Sequence, residues 1–343
     1  MGPGSPSLRS VARDDSRECV MLNAAIVGLG WWGKRLVESV QGSDVIRFSR
    51  GVTFEPEAAR EFAAKHGLAI GTDYAAVLAD PAIQAVVLAT PHTTHRALVE
   101  AAAQAGKHIY CEKPFALSKA DAQAALDACA EAGVTIGVGH HFRLMPSLLA
   151  LHGWIASGAL GTIMHAEGNY SHDWLANAPP DGWRSAPEET RAGGMTGMGI
   201  HVIDCFRHLV GPMTRVSALS KRRVLALATG DTTAALVEFA NGATGTLATT
   251  LKTPFAWRLA VFGEHAWAES VSETRAVLHR SGADPEVREL PPNNHLGINL
   301  TQFAHAAGER RPFAIDHAGI LHTVAVLEAV FRSVDAEGAW QNV

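Results

Sequence analysis

Gly28-Leu29-Gly30-Trp31-Trp32-Gly33 has the spacing of a turn that binds the pyrophosphate of a dinucleotide. The chemistry is close approach. Gly28 permits a tight turn, Gly30 lets backbone amides reach the phosphates, and Gly33 allows the following helix to pack against the preceding strand. With 32 glycines in the chain a chance match is easy, so the flanks carry the weight. Apolar Ala24-Ala25-Ile26-Val27 precedes the turn and a helix-forming run from Trp32 to Val40 follows it, a context that disfavours an ordinary strand-to-helix turn. An acidic residue holding the ribose hydroxyls is expected about 20 residues further on. Thr53 stands there instead. A neutral side chain removes the repulsion that excludes a 2′-phosphate, so NADP is admitted at least as readily as NAD. Arg50 lies in the same strand and faces either the site or away from it.

Seventeen histidines raise a metal reading, with His92-x-x-His95 and His140-His141 as the obvious pairs. The first pair straddles a strand end and a helix start, and adjacent residues on a strand point to opposite faces, so no metal is expected. His141 and Arg143 follow a strand that ends over a cleft and are candidates for substrate contact, as is His172 near the first strand of the second domain; packing roles compete equally. Cys19, Cys111, Cys129 and Cys205 have no regular spacing. Neither a disulfide framework nor a cysteine metal site follows, and a reducing, cytoplasmic setting is expected.

These residues need a scaffold. From Ala24 to about Val138, strand-length apolar runs (Val45 to Phe48, Ala85 to Leu88, His108 to Tyr110, Val134 to Ile136) alternate with helical stretches (Glu57 to His66, Thr94 to Ala105, Lys119 to Ala132) that start near Thr93 and Ser118 as caps. That order predicts an α/β domain with a parallel sheet, which binds ligands at the carboxyl ends of its strands. After Met145 one helix (Pro146 to Ser157) leads into alternating runs, with Asn241-Gly242 as a hairpin turn, and helical pattern returns from Ile298 to Val334. A length of 343 residues suits two domains. The expected division is a tail over 1–21, a dinucleotide-binding domain over 22–143 and an α+β domain with a mostly antiparallel open sheet over 144–343. The tail has no apolar stretch of the secretory kind. The net charge of −5 with scattered basic residues argues against nucleic acid, and no apolar run approaches the roughly 20 residues of a membrane span.

Taken together, Ala89-Thr90-Pro91-His92-Thr93-Thr94-His95, Cys111-Glu112-Lys113-Pro114, Ile155-Ala156-Ser157-Gly158-Ala159-Leu160-Gly161, Trp183-Arg184 and Gly199-Ile200-His201-Val202-Ile203-Asp204 occur in an order that resembles the glucose-fructose oxidoreductase / inositol dehydrogenase / MocA (Gfo/Idh/MocA) family. The resemblance runs from about Ala24 to Val334. It implies a Rossmann domain followed by an α+β domain whose open sheet forms a homodimer or homotetramer interface. The reaction it implies is reversible hydride transfer between a nicotinamide and a hydroxyl carbon of a sugar, cyclitol or related cyclic alcohol or ketone. Lys113 would lie near nicotinamide and substrate, Pro114 would be cis, and His201 matches the catalytic histidine. Trp31, Trp32, Thr90, Pro91, His95, Glu112, Trp183 and Arg184 would border the cofactor.

One departure stands out: the family pattern has an aspartate four residues before the histidine, where this chain has Gly197. His201 is then the best remaining acid/base, because an ordinary histidine titrates near pH 6.5. Lys113 would polarise the oxygen, and Asp204, one helical turn from His201, would orient the imidazole. Two other readings of the same residues are a glycosidase that retains NAD and oxidises its substrate transiently, and a dinucleotide sensor without catalysis.

Overall fold

The protein was analysed as a computed structural model, which describes residues 21–173, 176 and 182–343. The expected tail lies outside the described residues except for Met21. The first half alternates as anticipated: β1 (Leu22–Val27), α1 (Trp31–Ser39), β2 (Ile46–Val52), α2 (Pro56–His66), β3 (Ala69–Gly71), α3 (Tyr74–Ala79), β4 (Ala85–Leu88), α4 (His95–Gln104), β5 (His108–Cys111), α5 (Lys119–Glu131) and β6 (Ile136–Val138). The strands form one parallel sheet in the order β3-β2-β1-β4-β5-β6. The order reverses at β1, so the crevice for a ligand opens beyond the carboxyl ends of β1 and β4. The strand β3 and the helix α3 are too short, and β3 too exposed, to give a periodic signal. Ser118 caps α5 by accepting from Asp121 N. Thr93 caps nothing: residues His92–Thr94 form a 3-10 turn before α4.

The glycine turn is tight for steric reasons. Gly28 has φ +95°, and a Cβ there would lie 2.3 Å from Ala89 O. A Cβ on Gly33 would lie 1.8 Å from Gly28 O, so α1 can sit on the turn only without one.

The second half comprises α6 (Pro146–Ala156), β7 (Ile163–Ser171), α7 (Ile200–Leu209), β8 (Met213–Lys221), β9 (Thr232–Phe239), β10 (Thr244–Thr250), β11 (Ala256–Gly263), β12 (Ala266–Ser270), β13 (Arg275–Arg280), β14 (Glu286–Glu289), α8 (His295–Gly308), α9 (His317–Asp335) and β15 (Gln341–Asn342). Its sheet runs β14-β13-β12-β11-β7-β10-β9-β8-β15. Neighbours are antiparallel except β7 with β10. Asn241-Gly242 does turn β9 into β10, with Gly242 at φ +88°. Thr233, Ala235, Val237 and Phe239 of β9 face inward, against a core built with α7 and α9. On the other face Leu219 and Leu236 are about half exposed.

The division at 143/144 is corrected by α8. Its Leu300, Phe303 and Ala304 are buried in the core of the first sheet, and Tyr110 Oη donates to Asn299 Oδ1 at 2.6 Å. The apolar stripe of α8 fits the gap beside β5, which the first 143 residues leave uncovered. Helix α9 joins both cores, with Ile320 and Val324 in the first and Leu327, Val330 and Phe331 in the second. No helix among the described residues is long and apolar enough to cross a membrane. Cys111, Cys129 and Cys205 are buried free thiols.

Candidate active site

Beyond the carboxyl ends of β1, β4 and β5, loops of the first domain meet β7 and α7 of the second around a cavity of about 350 Å3. Of the residues expected from sequence, Trp31, Trp32, Thr90, Glu112, Lys113, His141, His172, Trp183, Arg184 and His201 all line it. Phe142, Tyr170, Glu189 and Met198 line it as well and were not anticipated.

Lys113 follows β5 directly, and its peptide bond to Pro114 is cis. Its Nζ donates to Gly197 O at 2.9 Å. Burial, with the nearby Arg184 charge, outweighs the pull of Glu112 and brings the amine down to about 8. Glu112 is buried, which pushes its carboxyl up to about 7 in spite of the Lys113 charge. Room for that carboxylate exists because residue 139 is glycine: a Cβ there would lie 2.5 Å from Glu112 Oε1.

The partner of Lys113 comes from an irregular stretch. Met195–Gly199 forms a π-turn that runs straight into α7. Gly197 occupies the place of the expected aspartate, and its backbone carbonyl holds the amine in the absence of a side chain. A Cβ on Gly197 would meet nothing within 4 Å. One turn on, His201 is buried, its ring stacked on Phe142 at 3.9 Å between centroids. Burial and then the Lys113 charge hold its imidazole well below the usual range. The expectation that His201 titrates near neutrality is thereby reversed: the groups poised near working pH are Lys113, at about 8, and its neighbour Glu112, at about 7.

Several expected site residues do other things. Asp204 does not orient His201. It accepts from Arg143 Nε and Nη2 at 2.5 Å each and lies 3.9 Å from His140 Nδ1. Burial raises its carboxyl, but His140 and Arg143 hold it below the usual value. Asp204 and Arg143 therefore form a buried pair behind the cavity wall and do not line the cavity, which withdraws both from substrate contact. His95 is also withdrawn from the cofactor: it is fully buried, with Nδ1 2.9 Å from Pro114 O and Nε2 3.1 Å from Thr90 O. It ties the two loops together from beneath. Pro91 belongs to the same loop without lining the cavity. Arg50 points away from Thr53 to Asp80, at 3.3 Å.

Glu189 had no motif to mark it. Its carboxylate accepts from His92 N at 2.7 Å, from Thr93 N at 3.2 Å and from the Thr93 hydroxyl. Burial raises this carboxyl, yet the bonds from His92 and Thr93 take it down to about 2. A second-domain residue thus clamps the loop after β4. Beside it, the Trp183 ring meets His92 edge-on at 5.2 Å and carries the Arg184 guanidinium 4.2 Å above it.

The turn before α1 fits a dinucleotide. A Cβ on Gly30 would meet nothing within 4 Å, and Gly30 caps α1 without a side-chain bond, so the first amides of the helix face open space. At the far end of the cavity His201 Nδ1 is buried and unpartnered among the described residues. Among these residues no group of three or more His, Cys, Asp or Glu side chains is arranged to hold a metal.

Comparison with known proteins agrees with this arrangement. Residues 22–140 match the oxidoreductase family model with an NAD-binding Rossmann fold, and residues 148–269 match the Gfo/Idh/MocA C-terminal domain. Levoglucosan dehydrogenase from Pseudarthrobacter phenanthrenivorans is 36% identical over 166 residues, which are 48% of this chain and 43% of that protein. D-Apiose dehydrogenase from Paraburkholderia graminis is 30% identical over 228 residues, 64% of this chain and 58% of that one. The matched stretches span about half the length of these curated relatives. In fold, a levoglucosan dehydrogenase solved with NADH and levoglucosan matches 94% of this chain and 99% of its own at a TM-score of 0.84 and 24% identity. The glycine turn, the Glu-Lys-Pro loop and two successive family models converge, and the chain belongs to the Gfo/Idh/MocA oxidoreductase family.

Proposed function

We propose that this chain is a nicotinamide-dependent dehydrogenase that interconverts a hydroxyl and a ketone on a sugar, cyclitol or related cyclic alcohol. The observation that carries this reading is the convergence of Lys113 and His201 on one aromatic-walled cavity at the carboxyl end of a sheet bearing a dinucleotide turn. Trp31, Trp32, Tyr170 and Trp183 offer flat apolar faces to a sugar ring, and the relatives named for levoglucosan and D-apiose point to the same class.

A dinucleotide whose pyrophosphate is held at the turn would supply the hydride acceptor or donor. Lys113, brought down to about 8, takes the hydroxyl proton in its neutral form and returns it as ammonium in the reverse direction. His201 stays neutral, fixed against Phe142, and hydrogen-bonds the same oxygen. Thr53 raises no repulsion against a 2′-phosphate, and the exposed Arg50–Asp80 pair is too weak to bar either nucleotide, so both NAD and NADP bind. Leu219 and Leu236 on the open sheet face suit a homodimer, and the buried thiols suit a reducing compartment such as the cytoplasm.

The test follows nicotinamide absorbance with both cofactors across sugars, cyclitols and cyclic diols. Lys113→Ala and His201→Ala are each expected to lower kcat by roughly 100-fold or more while folding is retained. Near wild-type turnover in both variants would sink the assignment. Thermal shift with each nucleotide reads the cofactor preference, and sedimentation reads the oligomer.

A further inference from the structure

Oxidation of an alcohol leaves one proton in the cavity at each turnover, and Lys113 must lose it before acting again. Among the described residues its Nζ donates to a carbonyl oxygen, Gly197 O, which accepts and cannot carry the proton away. A different set of side chains leads outward. His141 lines the cavity and is buried. Its Nδ1 lies 2.8 Å from His295 Nδ1, with the two ring planes within 10° of each other. His295 Nε2 lies 3.5 Å from Glu273 Oε1, and the Glu273 side chain is 45% exposed.

The geometry imposes a proton order. Two Nδ1 atoms at hydrogen-bond distance need one donor and one acceptor, so the two neutral rings carry opposite tautomers. Burial keeps both imidazoles below their usual range: for His141 the His295 ring adds to it, and for His295 the Glu273 charge opposes it. With Nδ1 of His141 turned onto His295, Nε2 is the ring atom left for the cavity. His141 also faces Lys113, His140 and His201, with Trp32 and Phe142 against its ring. Lys113 is the only one of these that carries charge near neutrality. The rings are held by structure: His295 is the first residue of α8, which Asn294 caps by accepting from Gly297 N.

We infer that His141, His295 and Glu273 form a proton relay between the cavity and solvent, resting on the dehydrogenase reading above. In oxidation the hydride leaves with the nicotinamide and the hydroxyl proton passes through Lys113. His141 Nε2 accepts that proton and His141 Nδ1–H moves to His295 Nδ1. His295 Nε2–H then moves to the Glu273 carboxylate, which releases it to water. Each ring ends in its other tautomer and must regain its first one before the next oxidation; reduction runs the same shifts backwards.

His295→Phe fills the volume and removes the relay; His295→Ala leaves a hole that imidazole can enter. For both, kcat for oxidation is expected to fall about 10-fold, with little change in KM for cofactor or substrate. The solvent isotope effect on kcat should rise, and added imidazole should restore His295→Ala in proportion to buffer basicity. Glu273→Gln, at the surface, checks against misfolding and should lower kcat about 3-fold, with the same rise in solvent isotope effect. Unchanged kcat, or a loss without isotope effect and without imidazole rescue, would overturn the relay. A second measurement needs no turnover: nitrogen-15 imidazole spectra should show His141 protonated at Nδ1 and His295 at Nε2. Finding the same tautomer on both rings would overturn the proposal even if the substrate panel fails, whereas a failed panel with opposite tautomers would discredit only the dehydrogenase reading.

Discussion

Replacing Glu189 by glutamine keeps the shape of the clamp and removes its charge. The native carboxyl titrates at about 2 against 4.5 for an ordinary glutamate. That depression corresponds to ~3 kcal/mol of preference for the ionised form in the folded protein. Because the folded value is the lower one, the stabilisation is complete above the unfolded pKa and is lost as pH falls toward the folded one. Between about pH 5 and about pH 3, roughly 2 kcal/mol of it should disappear. The amide retains one acceptor oxygen but presents N–H groups to the amides of His92 and Thr93, so the variant should be ~2 kcal/mol less stable near neutrality. Urea unfolding of both proteins, followed by tryptophan fluorescence at several pH values, measures the gap. It should narrow as pH drops. A gap independent of pH would refute the charge argument, and no gap at all would refute the clamp. Since the loop held by Glu189 borders the cavity, the variant should also raise KM for the nucleotide more than it lowers kcat.

Three other outcomes follow from the site. Oxidation should accelerate with pH through about 8 as Lys113 loses its proton, and reduction should slow over the same window; flat profiles in both directions would exclude Lys113 as the titrating group. Gly197→Asp has room for its side chain, so folding should be retained while a carboxylate beside Lys113 moves the midpoint of that profile upward by about one unit; an unmoved midpoint would show that the amine is set elsewhere. Arg143→Leu leaves Asp204 buried without its counter-charge and should cost ~3–5 kcal/mol in urea unfolding, and a loss below about 1 kcal/mol would mean that the pair is dispensable.

The parallel half was legible because its apolar runs and helices alternate, and because Gly28 and Gly33 leave no steric choice in the turn. Lys113 and His201 were singled out through the family resemblance, and both line the cavity. What the sequence hid depends on contacts across long separations. Glu189 meets His92 only after the second domain folds back, and no spacing announces a carboxylate that accepts backbone amides. Asp204 looked like a partner of His201 because the two are close in sequence, yet its geometry serves Arg143. The His201 pKa was misjudged because desolvation belongs to the folded cavity and not to the residue. The Thr93 cap failed for a related reason: its hydroxyl has a stronger, charged acceptor in Glu189.

Helix α8 has a consequence for how the chain is made. Phe303 and Leu300 complete the core around β5, yet they leave the ribosome after nearly the whole second domain has been synthesised. The nascent dinucleotide-binding half must therefore wait, collapsed but unsealed, with apolar surface on offer to chaperones. A fragment ending at residue 143 should bind a hydrophobic dye and unfold without cooperativity, and adding α8 as a separate peptide should sharpen its transition. Cooperative unfolding of the fragment alone would show that the sheet closes without its late helix.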